Sequence, residues 1–144
     1  MQIGILGTGR MGVRLAVMFA DQGHAVVLGS RDLSRAERIA SGLRRTNITA
    51  VNYEQAANAP VVLPAMFMRD GLLDELEPLR PALQGKLLID ISNPFNHDYS
   101  DFILPWNTSG AEQIQGTAAR NACRGCVQEC LVGSLRRAAV WRYV

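Results

Sequence analysis

Short apolar runs and amphipathic stretches alternate along the first part of the chain. Residues 2–6, with Ile3, Ile5 and Leu6, predict a strand that ends at the glycines of GTGRMG. In the helix predicted next, Met11, Leu15, Met18 and Phe19 recur at helical spacing. Ala16, Val17 and Ala20 spread apolar character around it, as suits a helix packed on a sheet. Gly23 stops this helix. Residues 25–28 are continuously apolar, the pattern of a parallel strand buried on both faces. Asp32 or Ser34 can cap a helix reaching Leu43, with Ile39 and Leu43 as its sparse apolar stripe. A strand at 48–51, a short helix at 53–58 and a strand at 60–63 ended by Pro64 come next. Leu72, Leu73, Leu76, Leu79 and Leu83 mark a further helical face, which Pro78 and Pro81 must kink or end because they remove amide donors. The turn Gln84-Gly85-Lys86 leads into a strand at 87–91, and Ser92-Asn93-Pro94 leaves it as a loop.

Strands alternating with helices through short connections specify right-handed crossovers, hence an α/β fold with a doubly wound parallel sheet of Rossmann-like type. Residues 109–115 can begin one more helix, capped by Thr108 or Ser109. No sixth strand is evident after it, so an edge of the sheet awaits a partner subunit or a covering tail.

The glycines give this pattern a chemistry. Gly7, Gly9 and Gly12 stand between a strand and a helix, where they serve the tight turn, the close approach of backbone to a diphosphate and the packing of helix on strand. The helix N-terminus offers open amides and partial positive charge to that diphosphate. Dinucleotide sites that favour NAD place an acidic side chain about 20 residues further on, at the end of the second strand. Here that place reads Gly29-Ser30-Arg31. A guanidinium and a hydroxyl suit a 2′-phosphate, which a carboxylate would repel. Arg35 lies one helical turn beyond, and Thr8 adds a hydroxyl. Asp32 is read as a helix cap turned away from the phosphate. The expected cofactor is therefore NADP(H).

Composition narrows the class without changing it. At 144 residues, 48% hydrophobic and 19% charged, the chain is expected to form an ordinary globular domain. Charged and polar residues interrupt every apolar run before it could span a membrane, and no secretory signal is recognised, so the expected location is the cytoplasm. The net charge of +2 does not argue for nucleic acid. It is unevenly spread: after Gly116 come Arg120, Arg124, Arg136, Arg137 and Arg142 against Glu129 alone, together with Cys123, Cys126 and Cys130. On a helix CxxCxxxC would place three thiols on one face. No fourth ligand is near, so reduced thiols rather than a metal site are expected.

The segments GILGTGRMG, AVVLGSRD, KLLIDISNPF and WNTSGAEQIQ, taken together, resemble the NADPH-dependent oxidoreductases that reduce the deazaflavin coenzyme F420. The transmembrane metalloreductases and, more distantly, the pyrroline-5-carboxylate reductases have related domains. The resemblance covers about residues 1–115, taken as the NADP(H)-binding domain, with 116–144 as an atypical tail. It implies that Thr8, Ser30, Arg31 and Arg35 hold the 2′-phosphate and that Arg10 and Met11 lie over the diphosphate. It further implies that Leu63, Pro64, Ala65 and Met66, with Asn93 and Pro94, pass beside the nicotinamide ribose. Pro64-Ala65-Met66-Phe67 departs from the small residue and Val-Pro more common in the family. The tail matches no part of the family pattern, and its arginine and cysteine content reads as a shifted frame or an alternative ending, which the coding DNA would settle.

No covalent triad is present, as suits hydride transfer between two bound rings, where apposition and exclusion of water matter more than a protein acid or base. No catalytic side chain is assigned. The expected activity is hydride transfer between NADPH and a second ring cofactor, with F420 implied by the resemblance, in a homodimer. Two alternatives stand beside it: a catalytically incomplete NADP(H)-binding protein, and a reductase of a small imine or carbonyl substrate with His97 as proton donor. His97 otherwise reads as a surface residue and His24 as structural. Phe95 and Trp106 either stack on a flat ring or close the core.

Overall fold

The computed structural model describes residues 1–118 and the backbone of residues 126–128. Its elements run β1 (Gln2–Leu6), α1 (Arg10–Asp21), β2 (Ala25–Gly29), α2 (Leu33–Leu43), β3 (Ile48–Val51), α3 (Tyr53–Ala57), β4 (Val61–Pro64), a 3-10 turn (Met68–Asp70), α4 (Leu72–Leu76), α5 (Arg80–Leu83), β5 (Leu87–Asp90), α6 (Gly110–Ala118) and β6 (Cys126–Gln128). The strands are parallel and lie in the order β3-β2-β1-β4-β5-β6. This is the doubly wound arrangement, with the order reversing between β1 and β4.

Each face of the sheet carries its own core. On one, Ile3, Ile5, Val26, Leu28 and Leu63 meet Ala16 and Ala20 of α1. On the other, Leu6, Val62 and Leu88 meet Ala56, Leu72, Leu76, Leu83 and Ile114 from the later helices. In α1 the buried residues are Gly12, Ala16 and Ala20, whereas Met11 and Met18 are about half exposed. Of the large residues expected on the packed face, Leu15 and Phe19 do pack against this core, whereas Met11 and Met18 turn outward, and small side chains at i, i+4 and i+8 let the helix lie close on the strands.

Asp32 accepts the Arg35 amide and caps α2. Asn52 and Gln55 form a capping box on α3, and Ser109 and Glu112 exchange equivalent bonds at the start of α6. Pro78 and Pro81 fall where α4 gives way to α5, as their missing amides require. Several boundaries shift by one residue: β2 runs on to Gly29, α3 ends at Ala57, β4 is Val61–Pro64 and β5 ends at Asp90.

The larger correction is a sixth strand. Cys126–Gln128 pairs with β5, so the edge left without an expected strand is covered by the tail, one of the two covers expected for it. Three residues are too few for hydrophobic periodicity to announce a strand. Cys126 is therefore in a strand and not on a helix, while Cys123, Cys130 and the tail arginines lie outside the described residues.

Candidate functional site

Three strand ends converge at the carboxyl edge of the sheet. Leu6 stands in register with Gly29 of β2 and Pro64 of β4. The Gly7 amide donates to the Gly29 carbonyl at 3.0 Å, and the Ala65 amide to the Leu6 carbonyl at 2.8 Å. At this reversal of strand order opens a cleft of about 1250 Å³. Pockets for drug-sized ligands are roughly 300–1,000 Å³, so this one suits a longer molecule.

The glycine loop forms its middle. Gly7 has φ +124°, and a Cβ there would lie 2.7 Å from the Ala65 carbonyl oxygen; at Gly12 it would lie 2.1 Å from that of Gly7. Both glycines are thus demanded by the protein's own packing. Gly9 is different, because among the described residues a Cβ there would meet nothing within 4 Å. Gly9 lines the cleft and is the N-cap of α1 without any side-chain cap, so the first-turn amides stay open toward a ligand. Arg10 and Arg14, one turn apart on α1, share this wall.

Beyond the end of β2, the buried Ser30 hydroxyl accepts the Asp32 amide at 3.1 Å and lies 3.5 Å from the Thr8 hydroxyl. Arg31 and Arg35 extend from here, both exposed. Arg31 Nη1 donates to Glu75 Oε1 of α4 at 3.0 Å. Among the described residues Arg10, Arg14 and Arg35 have no carboxylate within 4 Å. Four guanidiniums against Asp32 and Asp70 make the lining positive, a field that draws in anions. Tyr53, half-buried in the wall, donates from its hydroxyl to Met66 Sδ at 3.1 Å. Burial pushes its phenol pKa up, while Arg31 pulls it down and Glu75 pushes it up, so both charges reach this ring.

At the far end, Ala65, Met66 and Phe67 follow β4, while Ile91, Ser92 and Asn93 follow β5. Arg69 fastens these two segments together. Its guanidinium lies over the rings of Phe67 at 4.1 Å and Tyr99 at 4.6 Å. It donates to the Asn96 carbonyl and the Tyr99 hydroxyl, each at 2.9 Å. Tyr99 holds a left-handed φ of +62°.

Beneath this end lies Asp90, fully buried. Its Oδ1 accepts the Ser92 amide at 2.8 Å, whereas among the described residues its Oδ2 and the Ser92 hydroxyl form no well-shaped hydrogen bond. Burial pushes the carboxyl above its ordinary range, and the nearby Ser92 groups oppose that only in part. A folded-state pKa above the unfolded value means the favourable protonated form is fully present at low pH and lost as pH rises through the folded value. Asp90→Asn, which keeps the acceptor and adds a donor facing Ser92, is expected to raise neutral-pH stability by about 1 kcal/mol. The gain should shrink as pH falls through the raised Asp90 value and be gone below pH ~4, where the unfolded carboxyl is neutral as well. Melting the two proteins across pH checks this, and a less stable variant at pH 7 would contradict it.

Of the residues expected from sequence, Gly7, Thr8, Gly9, Arg10, Met11, Ser30, Arg31, Arg35, Ala65, Met66 and Asn93 line the cleft. Gly12 is buried under the loop, Leu63 and Pro64 are buried within β4, and Pro94 stands outside the lining. His97 is exposed and is not in the cleft wall. Trp106, 89% exposed, ends a line of rings in which Phe95 stacks on Phe102 at 4.7 Å and Phe102 meets Trp106 edge-on at 5.5 Å. Trp106 closes no core. Arg14, Tyr53, Phe67 and Tyr99 line the cleft and were not foreseen; only Arg14 carried a signal, its i+4 spacing from Arg10. Among the described residues no cluster of His, Cys, Asp or Glu could hold a metal ion, and no helix is long and apolar enough to cross a membrane.

A family model described as NADP oxidoreductase, coenzyme F420-dependent, matches residues 2–94. The chain belongs to this family. An F420-dependent NADP reductase of Methanothermobacter thermautotrophicus is 32% identical over 125 residues, covering 78% of this chain and 53% of that protein. The metalloreductase STEAP3 of Rattus norvegicus is 32% identical over 93 residues, 65% of this chain and 18% of that protein. Among solved structures, an Arthrobacter sp. FB24 protein described as a candidate F420-dependent NADP reductase superposes with a TM-score of 0.70 at 26% identity, covering 80% of this chain and 57% of that one. The chain thus spans about half the length of the curated F420-dependent relatives it matches.

Proposed function

We propose that the cleft binds NADP(H) and that the protein transfers a hydride between it and a second ring cofactor, the deazaflavin F420. The observation that carries this reading is the room left at Gly9, over uncapped amides, in line with Thr8, Ser30 and Arg31 at the end of β2. The open amides would take the diphosphate, with Arg10 and Met11 above it. Ser30, Thr8, Arg31 and Arg35 would take the 2′-phosphate. NADPH, when bound, supplies the hydride. The protein's part is positional: Ala65 and Asn93 flank the ribose, and Phe67 and Tyr99 wall the place where two rings must meet. Leu63, Pro64 and Pro94 act from behind by fixing the strand ends. Family membership and the names of the relatives support the acceptor, since those relatives are named for F420 and NADP.

Mixing the purified chain with NADPH and oxidised F420, and following the absorbance of both, tests the proposal. Loss of both signals together supports it. Cofactor binding without turnover supports a binding protein that lacks the acceptor side. Turnover of a small imine but not of F420 overturns the acceptor, although the exposed position of His97 gives that reading no support.

A further inference from the structure

Arg31 has a partner before any nucleotide arrives. Its Nη1 donates to Glu75 Oε1 at 3.0 Å, across 44 positions of sequence. The two ends of this pair are unequal. The Arg31 side chain is 68% exposed and Glu75 only 27%. Glu75 rides on α4, which is anchored by Leu72 and Leu76, both fully buried. The carboxylate is therefore the fixed member and the guanidinium the one able to swing.

We infer that Glu75 is a specificity-determining residue: an internal anion that competes with the phosphate-bearing end of the nucleotide for Arg31. The inference rests on the reading of this cleft as an NADP(H) site with Arg31 at the 2′-phosphate. A 2′-phosphate can engage Arg31 only by sharing its guanidinium with Glu75 or displacing that carboxylate, and it is repelled by Glu75 while doing so. A 2′-hydroxyl carries no charge and needs nothing from Arg31. Glu75 thus penalises NADPH and leaves NADH nearly untouched, which tempers the preference that Arg31 creates. A residue that merely supported the fold would move both affinities together.

The test measures dissociation constants for NADPH and NADH on the full chain, with Glu75→Gln and Glu75→Asp beside the parent. Glu75→Gln keeps the shape and removes the charge. It is expected to tighten NADPH about twofold to fivefold, the scale of an exposed ion pair, and to leave NADH essentially unchanged. Glu75→Asp retracts the carboxylate and should fall between parent and Gln. An unchanged NADPH-to-NADH ratio, or weaker NADPH binding, in Glu75→Gln overturns the inference. The underlying reading fails differently: the parent itself would show no preference for NADPH, and Arg31→Ala would leave the ratio where it was.

Discussion

Replacing Arg31 with alanine is expected to weaken NADPH binding on the order of a hundredfold while NADH binding changes little. Hydrogen bonds to charged groups contribute about 1.5–3 kcal/mol each, and roughly 1.4 kcal/mol is a tenfold change in Kd. Removing the guanidinium also strips Glu75 of its partner, leaving a bare carboxylate near the phosphate and adding to the loss. The fold should not notice. The side chain is 68% exposed, and substitutions at such positions usually stay within ~0.5 kcal/mol. Titration with the two dinucleotides decides the matter. If both lost affinity equally, Arg31 would not distinguish them, and the assignment of the 2′-phosphate to the end of β2 would be wrong.

The second large effect belongs to the glycine loop, where two neighbouring glycines should fail in different ways. Gly12→Ala places a methyl 2.1 Å from the Gly7 carbonyl oxygen, backbone against backbone. Neither side can rotate away, so α1 must lift from the loop and loosen the buried row of Ala16 and Ala20 as well. Overpacking of this kind costs about 3 kcal/mol, a fall in melting temperature of about 10 °C or more for a domain near this size. Cofactor binding should go with it. Gly9→Ala meets nothing within 4 Å among the described residues beyond its own chain neighbours, so its melting temperature should stay within a few degrees of the parent's while its methyl occupies the nucleotide's path. Thermal melts and cofactor titrations of both variants would separate the roles. A Gly9→Ala protein that binds NADPH as well as the parent would remove the argument from Gly9.

What could be read from sequence follows the range of the forces involved. Hydrophobic period and local turn chemistry act over a few residues, so the order of strands and α-helices through β5, the Asp32 cap and the breaks at Pro78 and Pro81 were legible, while the 3-10 turn Met68–Asp70 was not. The Gly7-Thr8-Gly9 and Ser30-Arg31 parts of the cleft were legible for the same reason: each is a short motif at a strand end. In α1 only Met11 and Met18 misled: the row of small residues lies closest to the sheet, Leu15 and Phe19 pack beside it, and the methionines face outward. Contacts made by distant segments left no trace to follow. Glu75 reaches Arg31 and Arg69 reaches Tyr99 only because the sheet brings their elements together. The strand at Cys126–Gln128 is defined by its pairing with β5 rather than by any pattern of its own.

The cation held between Phe67 and Tyr99 also bears on motion. With the segment after β4 bolted to the loop after β5 through one guanidinium, the wall that would face a nicotinamide is set in place in advance. Little entropy is left for a ligand to remove there, and that wall is poorly suited to fold over one. A flat molecule entering the cleft would find a fixed jaw, and any moving jaw has to come from elsewhere.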